Sequence, residues 1–343
     1  MTCTPSRPGR ARRPLRTGGS VALATVVAVL LGACGALVGV GAAPTATVGA
    51  ALETDKAQVI ATRLVDQARR AAATPGADGD ALRDTAYTGD ALVAARADAR
   101  LAKVTPGVTT AQRVLVDTPP VVLAVARALT YPRTMIAQSS LKASGLPVLM
   151  LLTTPDVATP YRIAAQVSML AGAQRPAFDP LAAGSPALAS TDTASPAGRY
   201  AALVDGYAAS LAYPSSPKTV AAGIIAGDAF STAVRANAAK QAAALTSVGS
   251  FRQQHDARTV TGGLGTAGGQ AALVFAVIDR NDTVLVQNGT LTLTKAFTTL
   301  SGLSSVTSEA DLSTLEVVAL VVPASGAATV VGGQDHLYAA QGA

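Results

Sequence analysis

Chemistry at neutral pH starts from a small set of side chains, and this sequence holds few of them. The two histidines are His255, beside Asp256, and His336, beside Asp335. Histidine is the usual general base near neutral pH, but neighbours on a strand point to opposite faces, so adjacency alone makes neither pair a dyad. No HExxH or similar spacing supports a zinc site. Both cysteines, Cys3 and Cys34, precede residue 50, which leaves the rest of the chain without a thiolate nucleophile, a disulfide or a sulfur ligand. Gly263-Leu264-Gly265-Thr266-Ala267-Gly268 spells G-x-G-x-x-G, whose glycines let a backbone approach a pyrophosphate at a helix start. Here a strand pattern follows at 271–278 with no strand-helix-strand unit around it, so the segment reads as a hairpin loop. Ser215-Ser216-Pro217-Lys218 has the S-x-x-K spacing of acyl enzymes, which needs a helix start; Pro214 and Pro217 make it a turn. Asp78-Gly79-Asp80 and Asp279-Arg280-Asn281-Asp282 lack the ligand spacing and terminal Glu of a calcium loop, and the second reads as the tight turn of a hairpin. No catalytic, cofactor-binding or metal-binding residue is therefore expected, and no cofactor. A reaction, were there one, would rest on His255, Asp256 or Glu316.

The stretch that says most is the uncharged run 17–52. Arg7, Arg10, Arg12, Arg13 and Arg16 precede it without an acidic residue, and residues 21–33 form an apolar segment ending in small residues, the order of an export signal. Leu31-Gly32-Ala33-Cys34 resembles a lipobox, in which Cys34 becomes residue one and carries diacylglycerol on sulfur. A membrane-spanning signal anchor is the rival, because residues 21–43 are uncharged and about 20 apolar residues cross a bilayer. The glycines at 32, 35, 39 and 41 make a poor uninterrupted helix. Arg12-Arg13 with Pro14 and Leu15 fits a twin-arginine signal badly. Under either reading the arginines stay in the cytoplasm, and residues 51–343 face the extracytoplasmic side of the cell membrane.

The net charge of +6 does not indicate a nucleic-acid partner. Five of the 27 basic residues lie in the leader, which leaves 22 against 21 acidic ones. No basic patch remains to track a phosphate backbone. About 290 residues suit two domains of about 140.

Downstream, Asp55 with Gln58 makes a capping-box start for a helix whose apolar face is Ala57, Ile60, Ala61, Leu64, Ala68 and Ala71. Residues 78–103 read as one or two further helices interrupted near Tyr87-Thr88-Gly89. Short apolar runs at 113–117, 121–128, 133–138, 146–153 and 161–170 then read as antiparallel strands. The proline-dense segment 173–195 is the linker candidate. Past it the order restarts: Ser195 and Pro196 open a helix, Phe230, Val234, Ala238, Ala242 and Leu245 stripe another, and strands follow at 251–261, 271–278, 283–294, 313–322 and 328–338. The expected plan is 1–50 leader and spacer, 51–172 first α+β domain, 173–195 linker and 196–343 second α+β domain.

Gly89-Asp90-Ala91-Leu92 and Gly227-Asp228-Ala229-Phe230 repeat in the two halves. Helices opened by such a segment and followed by a curved antiparallel sheet resemble the cone-shaped NTF2-like fold, here twice in tandem. Residues 55–70, Thr130-Tyr131-Pro132-Arg133-Thr134, Thr159-Pro160-Tyr161-Arg162, Met169-Leu170-Ala171-Gly172-Ala173 and Thr314-Leu315-Glu316-Val317-Val318-Ala319 together resemble a family of uncharacterised actinobacterial envelope proteins, some of them lipoproteins. Tyr131 stands where that family often has tryptophan, and Ala171 where it often has proline. The resemblance implies a location and a domain plan, not an activity.

The expected function is a non-catalytic binding or assembly module of the cell envelope. Its partners are the membrane, through a lipid or anchor helix, and an envelope protein or small apolar ligand. Tyr161, Tyr200, Tyr207 and Phe230 are the expected pocket walls; a structural spacer and an extracytoplasmic enzyme are the alternatives. Mass spectrometry of the membrane-extracted protein checks the leader: a diacylglyceryl mass on an N-terminal Cys34 is expected, and an intact N-terminus without it leaves the signal anchor.

Overall fold

The structure is a computed structural model and describes residues 49–104, 114–127, 130–189, 198–215 and 223–343. Cys34 and its leader, Ser195-Pro196 and Ser216-Pro217-Lys218 lie outside these residues. The chain is mixed α+β with antiparallel sheets. Helices α1 (Thr54–Ala73), α2 (Gly76–Ala86) and α3 (Gly89–Leu101) precede strands β1 (Val121–Val125), β2 (Arg133–Ser140), β3 (Pro147–Thr154) and β4 (Arg162–Ser168). The second half runs α4 (Arg199–Leu211), α5 (Ala229–Leu245), β5 (Gly249–Gly265), β6 (Ala271–Val286), β7 (Leu291–Thr292), α6 (Lys295–Ser301), β8 (Ser305–Val306), β9 (Glu309–Pro323) and β10 (Thr329–Gly342). Strands β1 to β4 form a meander in sequence order, and the second sheet runs β10-β9-β6-β5.

The two sheets pack face to face. Ile136, Leu149, Leu151 and Val167 of the first share one core with Leu273, Phe275, Val277, Val317 and Ala319 of the second. Alternate residues point outward. Met135, Val148, Met150 and Leu152 meet Ala57, Ala61 and Leu64 of α1, while Val274, Ile278, Val318 and Leu320 meet Val204, Tyr207 and Leu211 of α4 and Val234 of α5. The order of layers is helix, sheet, sheet, helix. With both faces buried, the strands become near-continuous apolar runs, which accounts for Val148-Leu149-Met150-Leu151-Leu152 and for Leu273-Val274-Phe275-Ala276-Val277-Ile278.

Several expectations are corrected by this arrangement. The supposed turn Asp279-Arg280-Asn281-Asp282 lies inside β6, paired on both sides without a break, because its charges are partnered by neighbouring strands rather than by solvent. Gln58 does not close a capping box: its Nε2 donates to Pro120 O at 2.7 Å, and the N-cap is Glu53. Helix α4 is described from Arg199, with Gly198 as N-cap. Helix α6 had no place in the sequence reading, since seven residues are too few to show a period. The G-x-G-x-x-G segment is the β5–β6 hairpin connection, with a short 3-10 turn at Ala267–Gly269. Asp228 does cap its helix, accepting from Ser231 N at 2.8 Å.

In its described part, the segment read as a linker is tied to both sheets. Ser185 N donates to Val125 O at 2.7 Å, and Gly265 N donates to Pro186 O at 2.8 Å. Gly184 carries φ +70°, and a Cβ there would meet Ala50 Cα at 2.8 Å, so only glycine fits the crossing of this segment with the chain's entry. Residues 48–343 form one compact unit. No helix among the described residues is long and apolar enough to cross a membrane.

Phe275 is fully buried between the sheets. Phe275→Ala is expected to cost about 3–5 kcal/mol and to lower the protection of β3 and β6 amides together in hydrogen exchange. Loss of protection in the second sheet alone would show that the halves are held independently.

Candidate functional site

The second sheet's strands are about twice as long as the first's, so its inner face outruns its partner sheet. Helix α3 covers the overhang. Arg258 of β5 donates to Asp90 at 2.9 Å and to Asp279 at 2.8 Å, Arg100 donates to Tyr338 O at 3.1 Å, and Asp98 Oδ2 pairs with His336 Nδ1 at 2.9 Å. Where the first sheet ends and α3 takes over, a cavity of about 300 Å³ opens between α3, the C-terminal turns of α1, α2 and the sheet edges.

Alanine makes this cavity. Ala68, Ala71 and Ala72 of α1 face Ala91, Ala94, Ala95 and Ala99 of α3 across it, and methyl groups leave unfilled what larger side chains would occupy. Polar groups converge at its inner end: Gln166 of β4, Gln334 and His336 of β10, and Asp98. Gln166 Oε1 is buried with no hydrogen-bond partner. Gln334 Oε1 accepts from Ser168 Oγ at 3.3 Å.

Arg83 and Tyr87 form the α2 side. Arg83 is buried, donating to Ala71 O at 2.8 Å and to Asp80 at 3.1 Å, so it satisfies a carbonyl at the end of α1 while its charge meets the negative end of that helix. Tyr87 joins β4 through a bridge to Ile163. Burial raises its phenol well above the usual range, and the negative charge of Asp98 adds to this while Arg83 opposes it. The one aliphatic hydroxyl on the lining, Thr74, donates to Arg70 O at 2.8 Å and is not poised as a nucleophile. The arrangement can hold a small apolar body and hydrogen-bond one polar end of it. The Asp98–His336 pair orients an imidazole toward that end.

His255 and Glu316, named from sequence, meet elsewhere, on the outer face of the second sheet under α4. His255 Nε2 lies 3.4 Å from Glu316 Oε2 with both side chains wholly inaccessible, and neither ring nitrogen makes a hydrogen bond. Arg280 donates to Glu316 at 2.9 Å and pairs with Asp282 at 3.3 Å, which accepts from Gln253 at 2.7 Å. Burial opposes the Arg280 charge, but the carboxylates of Asp282, Glu316 and Asp335 outweigh it and raise the guanidinium above its usual value. Burial also raises the Asp282 carboxyl, with Arg280 and Gln253 pulling it back. Asp256 is exposed on the opposite face of β5 from His255, so it takes no part.

The expected pocket walls are core residues instead. Tyr161 packs under α1, and Tyr200, Tyr207 and Phe230 pack between α4, α5 and the second sheet. None lines the cavity. Nothing local in the sequence marks Asp98, Gln166 or Gln334; the alanines at the end of α1 and along α3 are the available signal, and alanine at helical spacing equally suits close packing. No group of three or more metal-ligating side chains occurs among the described residues. No protein-family model, curated protein or solved structure matches the chain.

The buried network separates two substitutions. Glu316→Leu leaves Arg280 short of a partner and is expected to cost about 3–5 kcal/mol in urea unfolding. His255→Leu removes two unpaired buried nitrogens and should stay within about 1 kcal/mol of the parent. An equal loss in both would mean that Glu316 depends on His255 as a partner as much as on Arg280.

Proposed function

We propose that this protein is a membrane-anchored, extracytoplasmic binding module of the cell envelope, and that the cavity beside α3 is where it holds a small, mainly apolar molecule. The observation that carries the binding reading is the cavity itself. Its volume matches the lower end of small-molecule sites, its walls are largely alanine, and Asp98, Gln166, Gln334 and His336 give it a polar side, the pattern by which such sites fix orientation. Gln166 Oε1, a buried acceptor without a donor, favours a ligand whose polar end can donate a hydrogen bond.

The location rests on the basic leader, the apolar run and Leu31-Gly32-Ala33-Cys34, with the family resemblance in support. The finer reading of the halves as tandem NTF2-like units is likewise a proposal, supported by helices preceding a four-stranded antiparallel sheet in each half. The Asp98–His336 pair favours a second reading, in which His336 takes a proton from the bound molecule or from water beside it.

Native mass spectrometry of the full chain extracted from its own membrane tests the first reading. A small molecule is expected to co-purify, and Ala95→Leu, which fills the cavity from α3, should reduce its occupancy roughly tenfold with the melting temperature held. Unchanged occupancy in Ala95→Leu refutes the cavity as the site. A His336→Ala variant that retains the parental molecule in place of a converted product supports the second reading.

A further inference from the structure

We infer that one end of the first sheet, tipped by Tyr131 and Val157, is the surface that lies against the lipid headgroups and sets how the body stands on the membrane. This rests on the anchored reading above. The chain enters the folded body at this end: Ala51 N donates to Ala126 O at 2.9 Å and Ala50 N to Ala182 O at 3.2 Å, and Arg133 donates to Ala51 O at 3.3 Å. Gly184 lets Ala50 approach closely, so the entry point is built into the fold. Fourteen residues separate Cys34 from Gly49, a reach of about 50 Å at most, which keeps this body near the bilayer however it is turned.

The described residues 130–132 before β2 and 155–161 after β3 lie side by side here, because Arg133 pairs with Thr154 across β2 and β3. Each presents an apolar tip. Val157 is 86% exposed and Tyr131 37%, and the Arg133 guanidinium sits 4.6 Å from the Tyr131 ring centre. An exposed tyrosine beside an arginine suits the headgroup region, where the ring takes the interface and the guanidinium the anionic phosphate. The carboxylate of Asp156, exposed on the same loop as Val157, is held by that loop: it accepts from Ala158 N at 2.9 Å, Thr159 N at 2.7 Å and Thr159 Oγ1 at 3.0 Å. The same bonds hold Val157 outward. Two apolar tips are too few to bind a membrane unaided, so the anchor supplies the attachment and this end supplies the orientation.

The opposite end of the sheet provides the control, since it too exposes apolar side chains, Val121 at 57% and Leu146 at 38%, but neither the chain's entry nor a tyrosine-arginine pair. The chain contains no tryptophan, so Val157→Trp and Leu146→Trp each install a single reporter in the full chain. Each variant is reconstituted into phosphatidylglycerol–phosphatidylcholine vesicles with brominated acyl chains and floated on a density gradient. Trp at 157 is expected to be quenched roughly twofold, and Trp at 146 to keep its emission. Adding Tyr131→Ser with Arg133→Gln should return most of the lost signal at 157. Flotation with neither position quenched, or with 146 quenched instead, overturns the orientation and leaves the anchor standing. Failure to float overturns both.

Discussion

The apolar layer between the two sheets is the constraint on which the rest of the molecule depends. Ile136, Leu149, Leu151 and Val167 on one side, and Leu273, Phe275, Val277 and Val317 on the other, are almost completely removed from water. A sheet that gives one face to another sheet must still cover its second face, and among the described residues helices do most of it. Hence α1 lies on one outer face and α4 with α5 on the other. At about 25 cal/mol per Å² of apolar surface removed from water, this layer outweighs any hydrogen bond or ion pair in the fold. It also joins the two halves of the chain into one body, with the proline-rich segment between them serving as a stitch.

The mismatch in strand length is what creates a site. Sheets of equal length would close on each other completely; here the longer one leaves an inner face that α3 must cover. Helix and sheet cannot be level with one another, and a step forms where one covering replaces the other. The alanines of α1 and α3 let the helices come near without filling the step. Polar residues of the edge strands, Gln166 of β4 and Gln334 and His336 of β10, line it. The cavity thus follows from two ordinary features, unequal strands and small side chains, meeting at one place.

The outer face of the second sheet also carries buried charges. Arg280, Asp282, Glu316 and His255 occupy positions that a core would give to aliphatic residues, as Ile278 and Val318 show one step along the same face. They persist because each strand supplies a partner to the next across the register, Gln253 to Asp282, Arg280 to Glu316. One charge removed leaves the others desolvated and unpaired, so the network is a constraint on sequence more than a source of stability.

Sequence alone determined the class and the order of helices before strands in each half, because these rest on local periodicity and on the punctuation of Pro, Gly and Asp; Asp228 capping α5 is an example. It also identified His255 and Glu316 as the residues to watch, though not that they would be sealed under α4. Tertiary structure decided what depends on which faces meet. Asp279-Arg280-Asn281-Asp282 looks like a turn until neighbouring strands partner its charges, and 173–189 looks like a linker until its backbone bonds to both sheets. His336 finds its acid 238 residues away at Asp98, and not in Asp335 beside it. A run of apolar residues buried on both faces carries no mark of which face meets a helix and which a second sheet, and an alanine stripe reads the same whether it packs tightly or borders a cavity. Only the assembled fold, in which strands of unequal length lie back to back, distinguishes them.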